Sequence, residues 1–269
     1  MLRSMFSAVS GLRSHQTMMD VTGNNIANVN TSGYKASRTT FQETLTQLTR
    51  GGTAGEAGQA GQNPMQVGLG TQIAATDMVF TQGASQATGR PTDVAIQGDG
   101  FFIVEQGGET FYTRSGAFSF DSDGNLATPG GQLLQGENLM GGANGAIQVD
   151  PEAYTDITIG ANGTVTGRDD DGALQDLWRI SMARFPNVEG LEREGNGLFR
   201  DSPAAGDAIE GFAGEDGLGT LQAGTLEMSN VDLAQEFTNL IMSQRGFQAN
   251  ARTISTSDEL LQELVNLKR

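Results

Sequence analysis

The chain has 269 residues, no cysteine and one histidine, and it carries a net charge of −16. Without cysteine it cannot form disulfides, thiolate metal sites or a thiol nucleophile, and one histidine leaves little of the usual general-base inventory. The acidic excess argues against nucleic acid and against an anionic membrane surface as partners.

Charge and glycine separate the two ends of the sequence from its middle. Residues 1–50 have a net charge of +3, residues 51–229 of −18 and residues 230–269 of −1. Of the 38 glycines, 34 fall in the middle segment. The ends and the middle are therefore expected to differ in structure, with the acidic middle forming a solvent-facing body.

The N-terminal segment predicts an amphipathic helix over residues 3–29, with Ser4 as its N-cap. Apolar residues recur there every three or four positions, with one polar interruption at Gln16. The residues predicted to pack against a second helix are Met5, Val9, Leu12, Met19 and Ile26. Three amides, Asn24, Asn25 and Asn28, fall mostly off this stripe.

Residues 31–70 contain few signals of regular structure. The stretch 41–50 is compatible with a short helix or an extended arm, and residues 51–64 are rich in glycine. We interpret 31–70 as an extended, glycine-rich connecting arm. The glycines expected to make it flexible are Gly51, Gly52, Gly55, Gly58 and Gly61.

Residues 71–228 predict an antiparallel β body with few helices. Short β-rich segments such as "DVAIQ" (93–97), "FFIVE" (101–105) and "LWRISMARF" (177–185) alternate with turn dipeptides. Gly107-Gly108 and Asn162-Gly163 are typical of tight hairpin turns.

Residues 229–269 return to a helical pattern, with Ser229 or Asn230 as the expected N-cap. The predicted packing stripe consists of Phe237, Leu240, Phe247, Ile254, Leu261 and Leu264. Gly246 interrupts the helix, and close approach of another backbone would compensate for it. A helix with one apolar stripe is not stable alone in water, so we expect the terminal helices (1–30 and 229–269) to pair as a coiled-coil-like unit. The predicted fold class is α+β, with the all-β body inserted between the helices.

No stretch of the sequence supports an active site. "DSDGNL" (121–126) only partly matches a calcium loop, because glycine falls at the fourth position and no glutamate follows at the twelfth. "RDDDGAL" (168–174) is best interpreted as a solvated turn, and His15 as a polar residue on the helix surface or at an interface. We predict no enzyme activity, no metal and no cofactor. A carbohydrate- or wall-acting enzyme built on the β body, using Asp169, Asp170, Asp171 and Glu189, is the alternative of a different class.

Three blocks of the sequence resemble the bacterial flagellar rod and hook proteins. They are "SAVSGL" with "MMDVTGNNIANVNTSGYKASRTTF" near the N-terminus, residues 88–136 in the body, and the segment from "GTLEMSNVDLAQEF" to the end. The terminal Leu267-Lys268-Arg269 is similar to the ending of hook proteins, whereas the distal rod protein is close in length and shares all three blocks. We favour a short hook protein and keep a distal rod subunit as the alternative.

The resemblance implies a helical homopolymer, with the terminal helices lining a hollow tube and the body outside. As a hook, this tube would be a flexible joint that transmits torque. It also implies contacts with other rod proteins and with the hook-cap and hook–filament junction proteins. Export would use the flagellar type III apparatus without a cleaved signal peptide, and without membrane insertion. In such a tube, Asn24, Asn25 and Asn28 are expected to make polar contacts between subunits or with the lumen.

Overall fold

The computed structural model describes residues 2–52, 54–55, 60–150, 153–169 and 172–267. The chain forms two compact units. The helical unit comprises Met1–Ala27, Ser37–Met78 and Asp232–Arg269, and the body unit comprises Asn28–Ala36 and Val79–Val231. Among the described residues, no helix is both long and apolar enough to cross a membrane.

The helical unit contains both terminal helices and two strand pairs. Strand β1 pairs with β4, and β2 with β3, in both cases antiparallel. Its elements are α1 (Leu2–Ala27), β1 (Ser37–Glu43), β2 (Thr46–Arg50), β3 (Met65–Gly68), β4 (Thr71–Met78) and α2 (Leu233–Leu267). Helices at both ends with a mostly antiparallel β body between them confirm the predicted fold class in outline.

Both helix starts differ from the prediction. Helix α1 already begins at Leu2, so Ser4 lies inside the helix. Helix α2 is capped by Asp232, whose carboxylate Oδ1 accepts hydrogen bonds from the N–H groups of Ala234 (2.8 Å) and Gln235 (3.3 Å). A carboxylate at the N-terminus of a helix also interacts favourably with the helix dipole.

The structure divides residues 31–70 differently from the predicted single arm. Residues 28–36 belong to the body unit, while strands β1 to β4 of the helical unit lie within 37–78. Strands β2 and β3 are only five and four residues long and their side chains are exposed throughout, so they bury no apolar face and are too short for a pattern in the sequence to reveal them. Of the predicted arm glycines, Gly51, Gly52, Gly55 and Gly61 fall between β2 and β3, and Gly58 lies outside the described residues.

The body unit is built around one antiparallel sheet. Its main strand order is β13-β14-β15-β11-β7-β8-β17-β16. Four more strands pair outside this order: β10 and β12 pair with β11, β9 pairs with β10, and β18 pairs with β15. Two further pairs, β19–β6 and β20–β5, complete the unit. Its strands are β5 (Ser85–Ala87), β6 (Val94–Gln97), β7 (Phe101–Gln106), β8 (Glu109–Thr113), β9 (Ser119–Phe120), β10 (Leu126–Ala127), β11 (Leu133–Asn138), β12 (Asn144–Ala146), β13 (Tyr154–Ile159), β14 (Thr164–Asp169), β15 (Leu174–Arg184), β16 (Glu192–Gly195), β17 (Leu198–Arg200), β18 (Ile209–Phe212), β19 (Thr220–Ala223) and β20 (Thr225–Glu227), and a 3₁₀ turn spans Val188–Gly190.

The turn between β7 and β8 shows how the sequence fixes the strand register. Gln106 pairs with Glu109, which leaves a two-residue loop of Gly107 and Gly108, both with positive φ (65° and 87°). Glycine adopts this conformation without a Cβ clash, and the resulting turn matches the twist of the strands.

Strand β7 separates two apolar layers of the body. Phe102 and Val104 belong to the main core, where Phe102 packs edge-to-face against Phe118 with ring centroids 5.1 Å apart. The opposite face of β7 contributes Phe101 to a cluster of aromatic rings. That cluster contains Phe80, Phe101, Tyr112, Phe185 and Phe199.

Candidate functional site

The most deeply buried positions of the two helices are small or polar. Ala8, Ser14 and Thr22 of α1 and Ser243 and Ser257 of α2 are almost inaccessible to solvent. The predicted apolar residues are less buried: Met5, Leu12, Met19, Ile26, Leu240, Phe247, Ile254 and Leu261 are half-buried, Val9 and Phe237 are exposed, and the side chain of Leu264 lies outside the described part. The face that each helix buries is therefore not centred on the predicted apolar stripe. It is displaced around the helix towards small residues, which allow close helix packing.

Two glycines lie where the helices approach most closely, and they show that the helices run antiparallel. A Cβ on Gly11 would be 2.7 Å from the side-chain nitrogen of Asn250, and a Cβ on Gly246 would be 2.4 Å from the His15 ring. Position 11 thus faces position 250, and position 15 faces position 246. The sequence predicts another backbone as the close neighbour of Gly246, but the structure places the imidazole of His15 there, and that ring lies tilted against Phe41 with ring centroids 5.8 Å apart.

We expect Gly246→Ala to destabilise the monomer by about 1 kcal/mol, although alanine is the better helix former, because the added methyl would overlap the His15 ring. In a His15→Ala background the same substitution should become stabilising. Gly23→Ala in α1 is the matched control, since a Cβ there meets nothing within 4 Å. Chemical denaturation measures the free energy of unfolding of all three variants. If Gly246→Ala stabilised the chain that retains His15, the close contact between Gly246 and His15 would be contradicted.

An apolar surface remains uncovered on both helices. Ile241 is 58% exposed, and its neighbours on α2 are similarly open. The residues of this helix apolar surface are Phe6, Val9, Leu233, Phe237, Ile241, Met242, Leu260 and Val265. Exposed apolar side chains that cluster on one helix, as Phe237, Ile241 and Met242 do, are typical of protein interaction sites.

The three amides predicted for subunit contacts have different surroundings. Asn25 is buried, its Nδ2 donates to the carbonyl of Ser37 (2.8 Å) and its Oδ1 accepts from the Ser37 N–H (3.0 Å). This amide is therefore used within the chain, where it holds the start of β1. Asn28 accepts a hydrogen bond from the Thr31 hydroxyl (3.1 Å), and Asn24 is exposed on α1. A role at a subunit interface stays a prediction for Asn24 and Asn28.

The body unit contains a buried charge cluster that the sequence did not reveal. Glu227 contacts the ammonium of Lys35 and the Nε of Arg114, each at 2.6 Å, and it accepts from the Gly83 N–H at 2.9 Å. Lys35 also donates to the carbonyl of Thr81 at 2.8 Å. The side chains of Lys35 and Glu227 are each 2% exposed. The cluster joins segments that are distant in the sequence, so no local pattern could have predicted it.

Burial and pairing act in opposite directions on these groups. Desolvation alone would raise the pKa of Glu227, but the Arg114 charge, the Lys35 hydrogen bond and the Gly83 N–H outweigh it and lower that pKa. For Lys35, desolvation lowers the pKa, and the hydrogen bond and charge of Glu227 offset only part of this effect. The carboxylate is therefore the member that its partners hold ionised.

The candidate calcium segment 121–126 forms a turn. In 121–126, the N–H of Gly124 donates to the carbonyl of Asp121 (3.0 Å), which closes the hairpin between β9 and β10. Within the described ranges, no group of three or more acidic or histidine side chains is arranged to hold a metal ion. Asp170 and Asp171, proposed above for an enzyme, lie outside those ranges.

Three regions match known protein families. Residues 5–35 match "Flagella basal body rod protein", residues 95–167 match "Flagellar hook protein FlgE/F/G D1 domain", and residues 222–267 match "Flagellar basal body rod FlgEFG protein C-terminal". The chain is 45% identical to the flagellar basal-body rod protein FlgG of Bacillus subtilis (strain 168), over the full length of both. The chain belongs to the flagellar rod and hook protein family, and it is a structural protein and not an enzyme.

Rod and hook relatives differ in how they align. The rod protein FlgG of Agrobacterium fabrum is 38% identical over 96% of this chain and 97% of its own length. The hook protein FlgE of Borreliella burgdorferi is 29% identical over the full length of both, in an alignment of 441 positions. Because this chain has 269 residues, that hook protein contains a long insertion that this chain lacks. The preference for a hook protein is therefore unsupported, and the rod alternative is favoured.

Proposed function

We propose that the chain is a rod subunit of the flagellar basal body, polymerising into a straight, hollow drive shaft. The observation that carries this proposal is the match in length and identity to rod proteins, at 45% over an alignment of 270 positions. The flexible hook joint becomes the second candidate, because the hook relatives are more distant and longer.

The helix apolar surface supports polymerisation. Phe237, Ile241 and Met242 lie near the start of α2 with about half of each side chain exposed, and Val265 lies near its end. A monomer gains nothing from this exposure, whereas neighbouring copies would bury it at about 25 cal/mol per Å². We propose that α1 and α2 form a coiled-coil-like pair whose outer faces contact other copies. Other rod and hook components and the export apparatus are the further partners of this proposal.

Deleting residues 232–269 tests the assembly role of the helices. The deletion removes α2 and leaves the body unit with its own core. The truncated chain should remain folded and rich in β structure, and it should fail to polymerise under conditions where the full chain forms tubes. Tubes formed by the truncated chain would contradict the role given to the helices.

Electron microscopy of polymers of the full chain separates the two candidate functions. A rod subunit should form straight tubes, and curved tubes would favour the hook function instead. The body unit has the same fold in either case, so only the polymer distinguishes them.

A further inference from the structure

The two units of the chain carry the same number of cations but very different net charges. The helical unit has eight Lys/Arg and nine Asp/Glu residues, which give it a net charge of −1. The body unit has eight Lys/Arg and 23 Asp/Glu residues, which give it a net charge of −15. Almost the whole net charge of the chain therefore belongs to the body.

Half of the body cations are already used within the body. Lys35 and Arg114 are buried, and both are paired with Glu227. Arg179 and Arg200 each form an ion pair with an exposed carboxylate of the same unit. These four cations are therefore not free to neutralise the carboxylates of another copy.

The carboxylates of the body, in contrast, mostly face solvent. Among its described acidic residues, only Asp93 and Glu227 are buried. Exposed ones occur on separate elements, with Asp123 between β9 and β10, Glu189 in the 3₁₀ turn and Asp207 before β18. The negative charge is thus spread over the surface of the body and is not confined to one patch.

Packing the helical units of two copies also brings their bodies close. The chain passes between the two units four times, and no spacer segment separates them. A folded unit of this size has a radius of gyration of about 15 Å. The Debye length is about 30 Å at 0.01 M ionic strength and about 8 Å at 0.15 M. At low ionic strength, each body therefore lies within the electrostatic field of its neighbours.

We propose that the bodies of neighbouring copies repel each other, so that the polymer is held by its helical units and assembles only when dissolved ions screen the bodies. A large net charge of one sign favours separate monomers, and salt weakens this effect. Salt should therefore strengthen assembly. Ion pairs between copies would respond to salt in the opposite direction. This inference rests on the proposed function, because it requires a polymer of the chain.

Sedimentation of the full-length chain at two sodium chloride concentrations tests the repulsion. The critical concentration for assembly should fall at least about tenfold between 0.01 M and 0.15 M salt at neutral pH. Polymers that form with an unchanged or higher critical concentration in 0.15 M salt would overturn the repulsion and leave the proposed function standing. A chain that forms no polymer at any salt concentration would overturn the proposed function itself, and this inference with it.

Neutralising four exposed carboxylates tests whether the body is the source of the effect. The variant combines Asp123→Asn, Asp176→Asn, Glu189→Gln and Asp207→Asn, which changes the net charge of the body from −15 to −11. Repulsion grows with the product of the two charges, so it should fall to about half. In 0.01 M salt, the critical concentration of this variant should be at least about threefold below that of wild type, and the difference should shrink in 0.15 M salt.

The matched control changes the same four positions without changing the charge. It combines Asp123→Glu, Asp176→Glu, Glu189→Asp and Asp207→Glu, and it should show the salt dependence of wild type. Thermal unfolding at both salt concentrations verifies that each variant is folded. If the neutralised variant had the same salt dependence as this control, the charge of the body would not govern assembly and the proposal would be wrong.

Discussion

Replacing Glu227 by glutamine should lower the free energy of unfolding by about 3–5 kcal/mol, because it leaves two buried cations without their anion. Lys35 and Arg114 both contact this carboxylate at 2.6 Å, and neither ammonium nor guanidinium can reach solvent easily. Urea denaturation of the purified full-length monomer measures the effect. The body unit should lose stability most, since all three residues belong to it.

Glu215→Gln is the matched control for that substitution. Glu215 pairs with Arg179 at the same distance of 2.6 Å, but its side chain is 54% exposed. Exposed pairs contribute about 0–1 kcal/mol, so the control should be almost neutral. If Glu227→Gln lowered the free energy of unfolding no more than Glu215→Gln does, the buried cluster would not stabilise the body unit.

Acid should remove the same contribution in the wild-type chain. The folded state lowers the pKa of Glu227, so its stabilisation is complete above the unfolded-state pKa of about 4.3 and is lost as the pH falls through the folded-state pKa. The stability difference between wild type and Glu227→Gln should therefore shrink below about pH 4. A difference that stayed constant from neutral to strongly acidic pH would contradict a lowered pKa.

Replacing Ile241 by glutamate should abolish or strongly weaken assembly while leaving the monomer stable. The side chain is 58% exposed, so the monomer loses little packing, and surface substitutions usually change stability by less than about 0.5 kcal/mol. In the polymer the glutamate would place an unpaired charge in a contact that buries the isoleucine, so the critical concentration should rise at least about tenfold.

Gln248→Glu adds the same charge to an exposed position of the same helix and serves as the control. Sedimentation of assembled polymer against total protein measures both variants. Equal weakening of assembly by the two substitutions would indicate a general charge effect, and normal assembly of Ile241→Glu would show that this part of α2 faces solvent in the polymer.

Much of the fold could be predicted from local patterns. Apolar residues spaced by three and four predicted both terminal helices, and pairs such as Gly107-Gly108 predicted the hairpins of the body. The strands at 37–78 could not be predicted in this way. Thr71 pairs with Glu43 across a long intervening segment, and β2 and β3 are short strands with exposed side chains, so no local pattern is long enough to identify them.

The candidate site was predicted less well than the fold. The apolar stripe located the helices but not their contact face, because the closest approach depends on Gly11 and Gly246 and on the partners they meet. The sequence predicts that Asn25 contacts other subunits or the lumen, whereas in the structure its amide is bonded to Ser37 within the chain. A side-chain amide can donate to and accept from many polar groups, and the sequence does not show which of them the fold brings close to it.

The sequence by itself determined the two terminal helices, the β body between them, and the family, since each follows from short-range spacing and from continuous blocks of residues. Only the tertiary structure decided which charges are buried together. Lys35 and Glu227 are 192 positions apart, and they meet because the folded β segments bring them within 2.6 Å. Burial makes that contact energetically important, and burial is a property of the whole fold.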